Sequence, residues 1–325
     1  METGEKNMRE FVINANDSGQ RIDKFISKAM PDMPKSMMYK LIRKKDIKLN
    51  GKRCELSQRL SEGDVVRVYV KEELSSPKEH DMSFLNASSS LDIVYEDSNM
   101  IIVSKPVGLE THPSYDCSGD TLIDRIKKYL WEKKEYLPDS ESSFAPAVCS
   151  RLDRNTSGLV TAAKNAAALR EINSAIREGR MHKIYRCVCI FPLPKSEDVL
   201  TAYHKKDTSR NTVSISDLPG EGYKEIRTGY KVLRQNKGLS LVEVTLFTGR
   251  THQIRAHLAH IGSPLLGDGK YGDTAFNKRM GVFHQALCAY AVSFEFPEDS
   301  PLSSLNGMTV CAASPDFEKK YFGIS

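Results

Sequence analysis

Ser150-Arg-Leu-Asp-Arg-Asn-Thr-Ser-Gly158 runs without a break into Leu159-Val-Thr-Ala-Ala163. The first part is polar and turn-prone and the second is apolar, so the stretch reads as a loop that delivers one carboxylate, Asp153, to the mouth of a buried strand. Beside two arginines, that carboxylate is by itself compatible with a plain surface ion pair. Working outward, Leu91 to Tyr95 and Met100 to Val103 read as strands around the turn Asp97-Ser98-Asn99. Ile184 to Phe191, Leu239 to Phe247 and Ala289 to Phe296 are also strand-like, while Thr121 to Trp131, Ala166 to Glu178 and Thr251 to Ile261 read as helices. Strands and helices mix irregularly and most connections are short, so an α+β domain on a mixed, largely antiparallel sheet is expected. Asp139 to Pro146 and Lys195 to Glu221 read as long mobile loops.

Upstream, the chain changes character. Ile22, Phe25, Ile26 and Ala29 fall on one helical face that ends at Pro31 and Pro34, and a second helix is expected from Lys35 to Lys45. Asn50-Gly51 marks a tight turn between short strands, and Val66, Val68 and Val70 alternate as a half-buried strand does. Residues 18–72 therefore form a small αββ-type module, residues 73–90, rich in Ser, Pro, Glu and Asn, form a linker, and residues 91–325 form the second domain.

Charge separates the two halves. The whole chain of 325 residues carries +5, but residues 18–72 hold fourteen Lys or Arg against seven Asp or Glu, which leaves −2 for everything else. Between Lys35 and Arg53 eight basic residues face one acid, and Lys40, Arg43 and Lys44 share one side of a helix while Met38, Leu41 and Ile42 pack elsewhere. Such a stripe fits phosphates, through backbone contact more than base stacking, because aromatics are few there.

Several chemistries find no support. No apolar run approaches the roughly 18 residues that cross a bilayer, and the first ten residues lack the apolar segment of a secretory signal. A soluble, cytoplasmic protein is expected, with no membrane partner and acting as a monomer. Seven scattered cysteines without a C-x-x-C pair read as reduced, mostly buried thiols. Gly262-Ser-Pro-Leu-Leu-Gly267 opens like a phosphate loop, but Asp268 stands where Lys is required, so no nucleotide cofactor is expected. The spacing of His252, His257 and His260 puts no more than two on one helical face, and they are read as structural, with no metal site.

A second polar segment, Gly249-Arg-Thr-His-Gln-Ile-Arg-Ala-His257, opens a helix that turns Ile254, Leu258 and Ile261 to the core. His252 and Arg255 then share the neighbouring face, and a buried Arg requires an acid partner. Arg151-Leu-Asp-Arg-Asn-Thr-Ser-Gly158, Lys183-Ile-Tyr185, Gly249-Arg-Thr-His-Gln-Ile-Arg255 and Leu266-Gly-Asp-Gly-Lys-Tyr271 occur in the order and approximate spacing of the RluA family of pseudouridine synthases. Tyr95-Glu-Asp and Val103-Ser-Lys-Pro-Val-Gly108 resemble that family's opening hairpin. Gly19-Gln-Arg-Ile-Asp-Lys-Phe25 and Pro34-Lys-Ser-Met-Met-Tyr39 resemble parts of the S4 RNA-binding module that several members carry.

The resemblance implies an isomerase that detaches a uracil, rotates it and rejoins it to the ribose through carbon, with no cofactor or metal. It assigns Asp153 as the group that attacks the ribose or removes a proton from it, Arg255 as its partner, and Tyr185 as the residue that stacks on uracil and helps remove the final proton. Arg151 takes the position of a side chain that fills the space left by a flipped uridine. Ser150 departs from the family, where His is common, which puts any RNA contact of that His in doubt. Structured RNA is the implied partner, large-subunit (23S) ribosomal RNA first. Transfer RNA, or a non-catalytic RNA-binding role in ribosome assembly, are the alternatives. A glycoside hydrolase would need two carboxylates flanking the bond, and these motifs place one.

Overall fold

The computed structural model describes residues 6–71, 81–113 and 119–324. The N-terminal unit runs β1 (Lys6–Val12), α1 (Ile22–Ala29), α2 (Lys35–Arg43), β2 (Ile47–Leu49), β3 (Lys52–Arg53) and β4 (Val65–Lys71). Its four strands lie in the order β1-β4-β2-β3, all antiparallel. The stripe Ile22, Phe25, Ile26 and Ala29 is buried against Val66, Val68 and Val70, and Phe11 of β1 closes the core edge-on to Phe25. Strand β1 lies ahead of the expected start at residue 18. Between Asn7 and Val12 it buries only Phe11, so it carries no alternation to read.

The second unit contains β5 (Asp92–Glu96), β6 (Met100–Lys105), α3 (Leu122–Glu132), β7 (Ala147–Val148), β8 (Ser157–Ala163), α4 (Ala166–Arg177) and β9 (Met181–Ile190). There follow β10 (Glu197–Asp207), β11 (Thr212–Ser216), β12 (Lys224–Asn236), β13 (Leu239–Leu246), α5 (Gln253–His260), α6 (Thr274–Met280), β14 (Leu287–Phe294), β15 (Thr309–Cys311) and α7 (Asp316–Phe322). One large sheet runs β11-β10-β12-β13-β9-β14-β8-β6-β5, with β15 added to β14 and β7 to β8. Among the described strands only the β14–β8 pairing is parallel. Mixed and largely antiparallel, the sheet has the architecture the sequence implied.

Both faces of the sheet are covered. Ile101 and Val103 pack with Leu122, Ile126 and Leu130 of α3, while Met100 and Ile102 pack with Ala168 and Ile172 of α4. On β9, Tyr185, Cys187 and Cys189 face Ile254 and Leu258 of α5, and Val188 and Ile190 share a cluster with Phe322 of α7. Strands buried on both faces read as continuous apolar runs.

Three expectations are corrected. Lys195 to Glu221 is no loop over most of its length, because β10 and β11 form a hairpin there. Their residues are polar and largely exposed at the sheet edge, so no apolar period marks them. The linker's first part falls among residues 72–80, outside the described residues; its second part holds a short 3-10 turn, Ser83–Asn86, whose Phe84 is buried against Tyr136 and belongs to the second unit's core. Residues 139–146, expected to be mobile, are tied down by the N-terminal unit. Asn16 Nδ2 donates to Glu141 Oε1 at 2.7 Å, Gln20 Nε2 to Ser143 Oγ at 2.7 Å, and Ser143 Oγ to the buried Asp17 at 2.5 Å. Asn16 Oδ1 also accepts from the Ala166 N–H at the start of α4.

Candidate active site

Asp153 occupies the loop between β7 and β8, and that loop is fixed from one side by the segment after β6. Lys105, fully buried, donates through Nζ to the carbonyls of Pro106 at 3.0 Å, Leu109 at 2.8 Å and Arg154 at 3.0 Å. Burial pulls its ammonium down to about 8, although the charge of Asp153 opposes this. Thr111 Oγ1 donates to the Leu152 carbonyl at 3.1 Å. The backbone carbonyls on both sides of Asp153 are thus held. Gly158 then enters β8 at φ +104°, where a Cβ would lie 2.3 Å from the Ala289 carbonyl oxygen of β14.

The partner comes from α5. Arg255 donates Nη1 to Asp153 Oδ2 at 2.7 Å, across 102 positions of sequence. Its Nε and Nη2 bind Asp268 Oδ2 and Oδ1 at 2.6 and 2.9 Å, a bidentate fork. Arg255 is 6% exposed and Asp268 0%, whereas the Asp153 side chain is 28% exposed. Burial disfavours the Arg255 cation, but the hydrogen bonds and charges of Asp268 and then Asp153 outweigh it and raise its pKa. For Asp268 burial is likewise outweighed, by Arg255 first and by the N–H groups of Lys270 and Tyr271, so its pKa is lowered. Arg255 and Asp268 stay charged, and Oδ1 of Asp153 accepts no hydrogen bond among the described residues.

Two rings complete the site. Tyr185 on β9 is 6% exposed, and burial, with the charge of Asp153 adding, holds its hydroxyl protonated far above the usual tyrosine range. As a base it acts only if a proton leaves it in the same step. His252 sits just before α5 in left-handed backbone, φ +52°, and does not belong to the helix as expected. Its Nδ1 is 2.9 Å from Tyr271 Oη and its Nε2 is 3.9 Å from Asp153 Oδ1. Burial pulls His252 down to about 4, with Arg255 and Lys270 assisting and Asp153 opposing, so it is neutral near pH 7.

The structure thus brings Asp153, Arg255 and Tyr185 together. Arg151 is exposed close by and near enough to His112 to lower that residue's pKa. Lys40 and Arg43 lie elsewhere, exposed on α2, with Lys44 exposed just past its end, and Lys40 and Lys44 border a groove of about 460 Å³ with Met37, Tyr69 and Lys71. Asp268, Tyr271 and Lys105 were not singled out as site residues from sequence, although all three fall inside quoted motifs. The requirement of a buried Arg for an acid was the available signal. The histidines have separate partners: His257 meets Thr228 Oγ1 and His260 meets Asp217. Among the described residues no group of three or more His, Cys, Asp or Glu is placed to hold a metal ion, and no helix is long and apolar enough to cross a membrane. Cys54, Cys187, Cys189 and Cys288 are buried free thiols, Cys149 is half-buried and Cys311 exposed; Cys117 lies outside the described residues.

Comparison with known proteins identifies the family. The RNA pseudouridylate synthase family model matches residues 99–260 and the S4 domain model residues 20–66. An uncharacterized RNA pseudouridine synthase of Mycoplasma capricolum is 33% identical over 95% of this chain and 99% of its own length. A ribosomal large subunit pseudouridine synthase C of Vibrio parahaemolyticus is 30% identical over 91% of this chain and 92% of its own. The fold is shared with human RNA pseudouridylate synthase domain containing 1, at a TM-score of 0.56 and 22% identity over 74% of this chain and 88% of that one. With an S4 domain ahead of a pseudouridylate synthase domain, the chain belongs to the RNA pseudouridine synthase family.

Proposed function

We propose that this synthase converts uridines of large-subunit ribosomal RNA to pseudouridine, with Asp153 as its reactive carboxylate. The observation that carries the catalytic reading is the 2.7 Å ion pair between Asp153 and Arg255, in which the second oxygen of the partly exposed Asp153 accepts no hydrogen bond among the described residues. In the reaction the N1–C1′ bond breaks, the uracil turns, and C5 bonds to C1′; C5 loses a proton and N1 ends with one. Asp153 starts the exchange, either by bonding to C1′ or by taking the C2′ proton, and both routes use the carboxylate that Arg255 holds in place. Tyr185 stacks on the detached base and assists the final proton loss from C5. Arg151 fills the gap in the RNA stack, and its planar cation suits that contact better than lysine would.

The substrate class rests on two supports. One is the name of the Vibrio relative, which covers nearly the whole chain. The other is the exposed stripe of Lys40 and Arg43 on α2 and Lys44 at its end, suited to the phosphates of a large folded RNA. The test is to map pseudouridine in ribosomal and transfer RNA of cells that lack the gene, with and without a plasmid copy. Loss from the large-subunit RNA, restored by the plasmid, is expected. Loss from transfer RNA alone would move the substrate there.

A further inference from the structure

Asp268 is closed off from solvent, yet it binds the same guanidinium that meets Asp153. We propose that Asp268 is a positioning residue of the reaction: by occupying the Nε–Nη2 edge of Arg255 it restricts the arginine to one hydrogen bond on Asp153, leaving Oδ1 free for the ribose. The inference rests on the reading of Asp153 as the reactive carboxylate.

An arginine that faces a single carboxylate tends to take it through two parallel N–H bonds, one to each oxygen. Such a grip on Asp153 would engage both oxygens and neutralise the anion. Here the fork goes to Asp268, at 2.6 and 2.9 Å, and only Nη1 reaches Asp153. The carboxylate of Asp268 is in turn immobile. Its Oδ1 accepts the N–H groups of Lys270 at 2.8 Å and Tyr271 at 3.1 Å, and its backbone carbonyl accepts from Asn277 Nδ2 at 3.2 Å. The glycines around it leave no slack: a Cβ at Gly267 would lie 2.1 Å from the His284 carbonyl oxygen, and one at Gly272 would lie 2.4 Å from that of Asp268. The Tyr271 ring lies 5.4 Å from the guanidinium carbon. Position passes from the 266–272 loop to Asp268, to Arg255, and so to Asp153. Charge follows the same path, because two carboxylates share one cation and Asp153 keeps net negative charge for the step it starts.

A mere buried counterion would stabilise the fold without setting the rate, and a double-mutant cycle separates the two roles. Asp268→Asn keeps an oxygen for the Lys270 and Tyr271 N–H groups but removes the charge and the fork. With ribosomal RNA tritiated at uracil C5, kcat should fall by about 100-fold, while KM and RNA affinity stay within about threefold. Arg255→Lys supplies a point charge that cannot form a fork. In that background Asp268→Asn should cost less than about threefold more, because the two residues act as one unit. An equal cost in both backgrounds, or a loss confined to KM, overturns the proposal. A measurement on the wild type does not depend on the variants folding: in ¹⁵N-arginine-labelled protein the Arg255 Nε–H, assigned by its disappearance in Arg255→Lys, should exchange slowly with water. Exchange as fast as that of exposed arginines overturns the fork itself. Asp153→Asn is assayed alongside. If it remains active, the reading of the site fails; if it is inactive while Asp268→Asn matches wild type, only the positioning role fails.

Discussion

The histidines buried near the site are neutral near pH 7, and that state ties stability to pH. His257, 2% exposed, meets Thr228 Oγ1 at 3.0 Å and is pulled down to about 4 by burial, with His260 adding. In the unfolded chain it titrates near 6.5. Between these values the unfolded state binds a proton that the fold excludes, so the contribution is full above about pH 6.5 and is lost as pH falls towards 4. His252 acts with the same sign. His257→Gln should therefore flatten the drop in unfolding free energy between pH 7 and pH 5 by on the order of 2 kcal/mol, measured by urea titration at both values; an unchanged slope contradicts the assignment. At this scale the sequence was legible where motif and spacing spoke together, as for Asp153 and Arg255. Asp268 was legible only as the residue that spoils a phosphate loop, because its partner lies 13 positions away on another element. His252 was misplaced on a helix because its positive φ has no signature in a non-glycine residue.

The parallel junction of β8 with β14 carries Asp153 to the site. Their pairing is limited to Cys288 with Ser157 and Ala289 with Gly158, and the close approach at Gly158 lets the preceding loop lie beside β14. Gly158→Ala should cost at least about 3 kcal/mol, from overlap with the Ala289 backbone and from its positive φ, seen as a lowered urea midpoint. A shift worth less than about 0.5 kcal/mol would show that the junction has room. Elements buried on one or both faces were readable in advance, among them α1, α3, α4, β6, β8 and β9. The edges were not. In β10, Ala202 and His204 are the only fully buried positions between Glu197 and Asp207, and β1 offers Phe11 alone between Asn7 and Val12. Where water faces most of a strand, the sequence has little reason to alternate.

At the scale of the molecule, a basic grip and a catalytic cleft are joined by a polar seam of Asn16, Asp17 and Gln20 against Glu141 and Ser143. The seam ties the unit that carries α2 to the large sheet, and in the function proposed above one RNA is held by phosphate contacts on the first unit while a uridine is worked on in the second. The division of labour predicts that binding and chemistry separate by mutation. It is tested most directly by tritium release from ribosomal RNA labelled at uracil C5, comparing wild type, Asp153→Asn and the triple change of Lys40, Arg43 and Lys44 to Ala. The triple variant should release tritium at saturating RNA but bind more weakly, with a flatter dependence on salt. Asp153→Asn should bind RNA with wild-type affinity and release no tritium; release at the wild-type rate would contradict the claim that this one carboxylate starts the exchange.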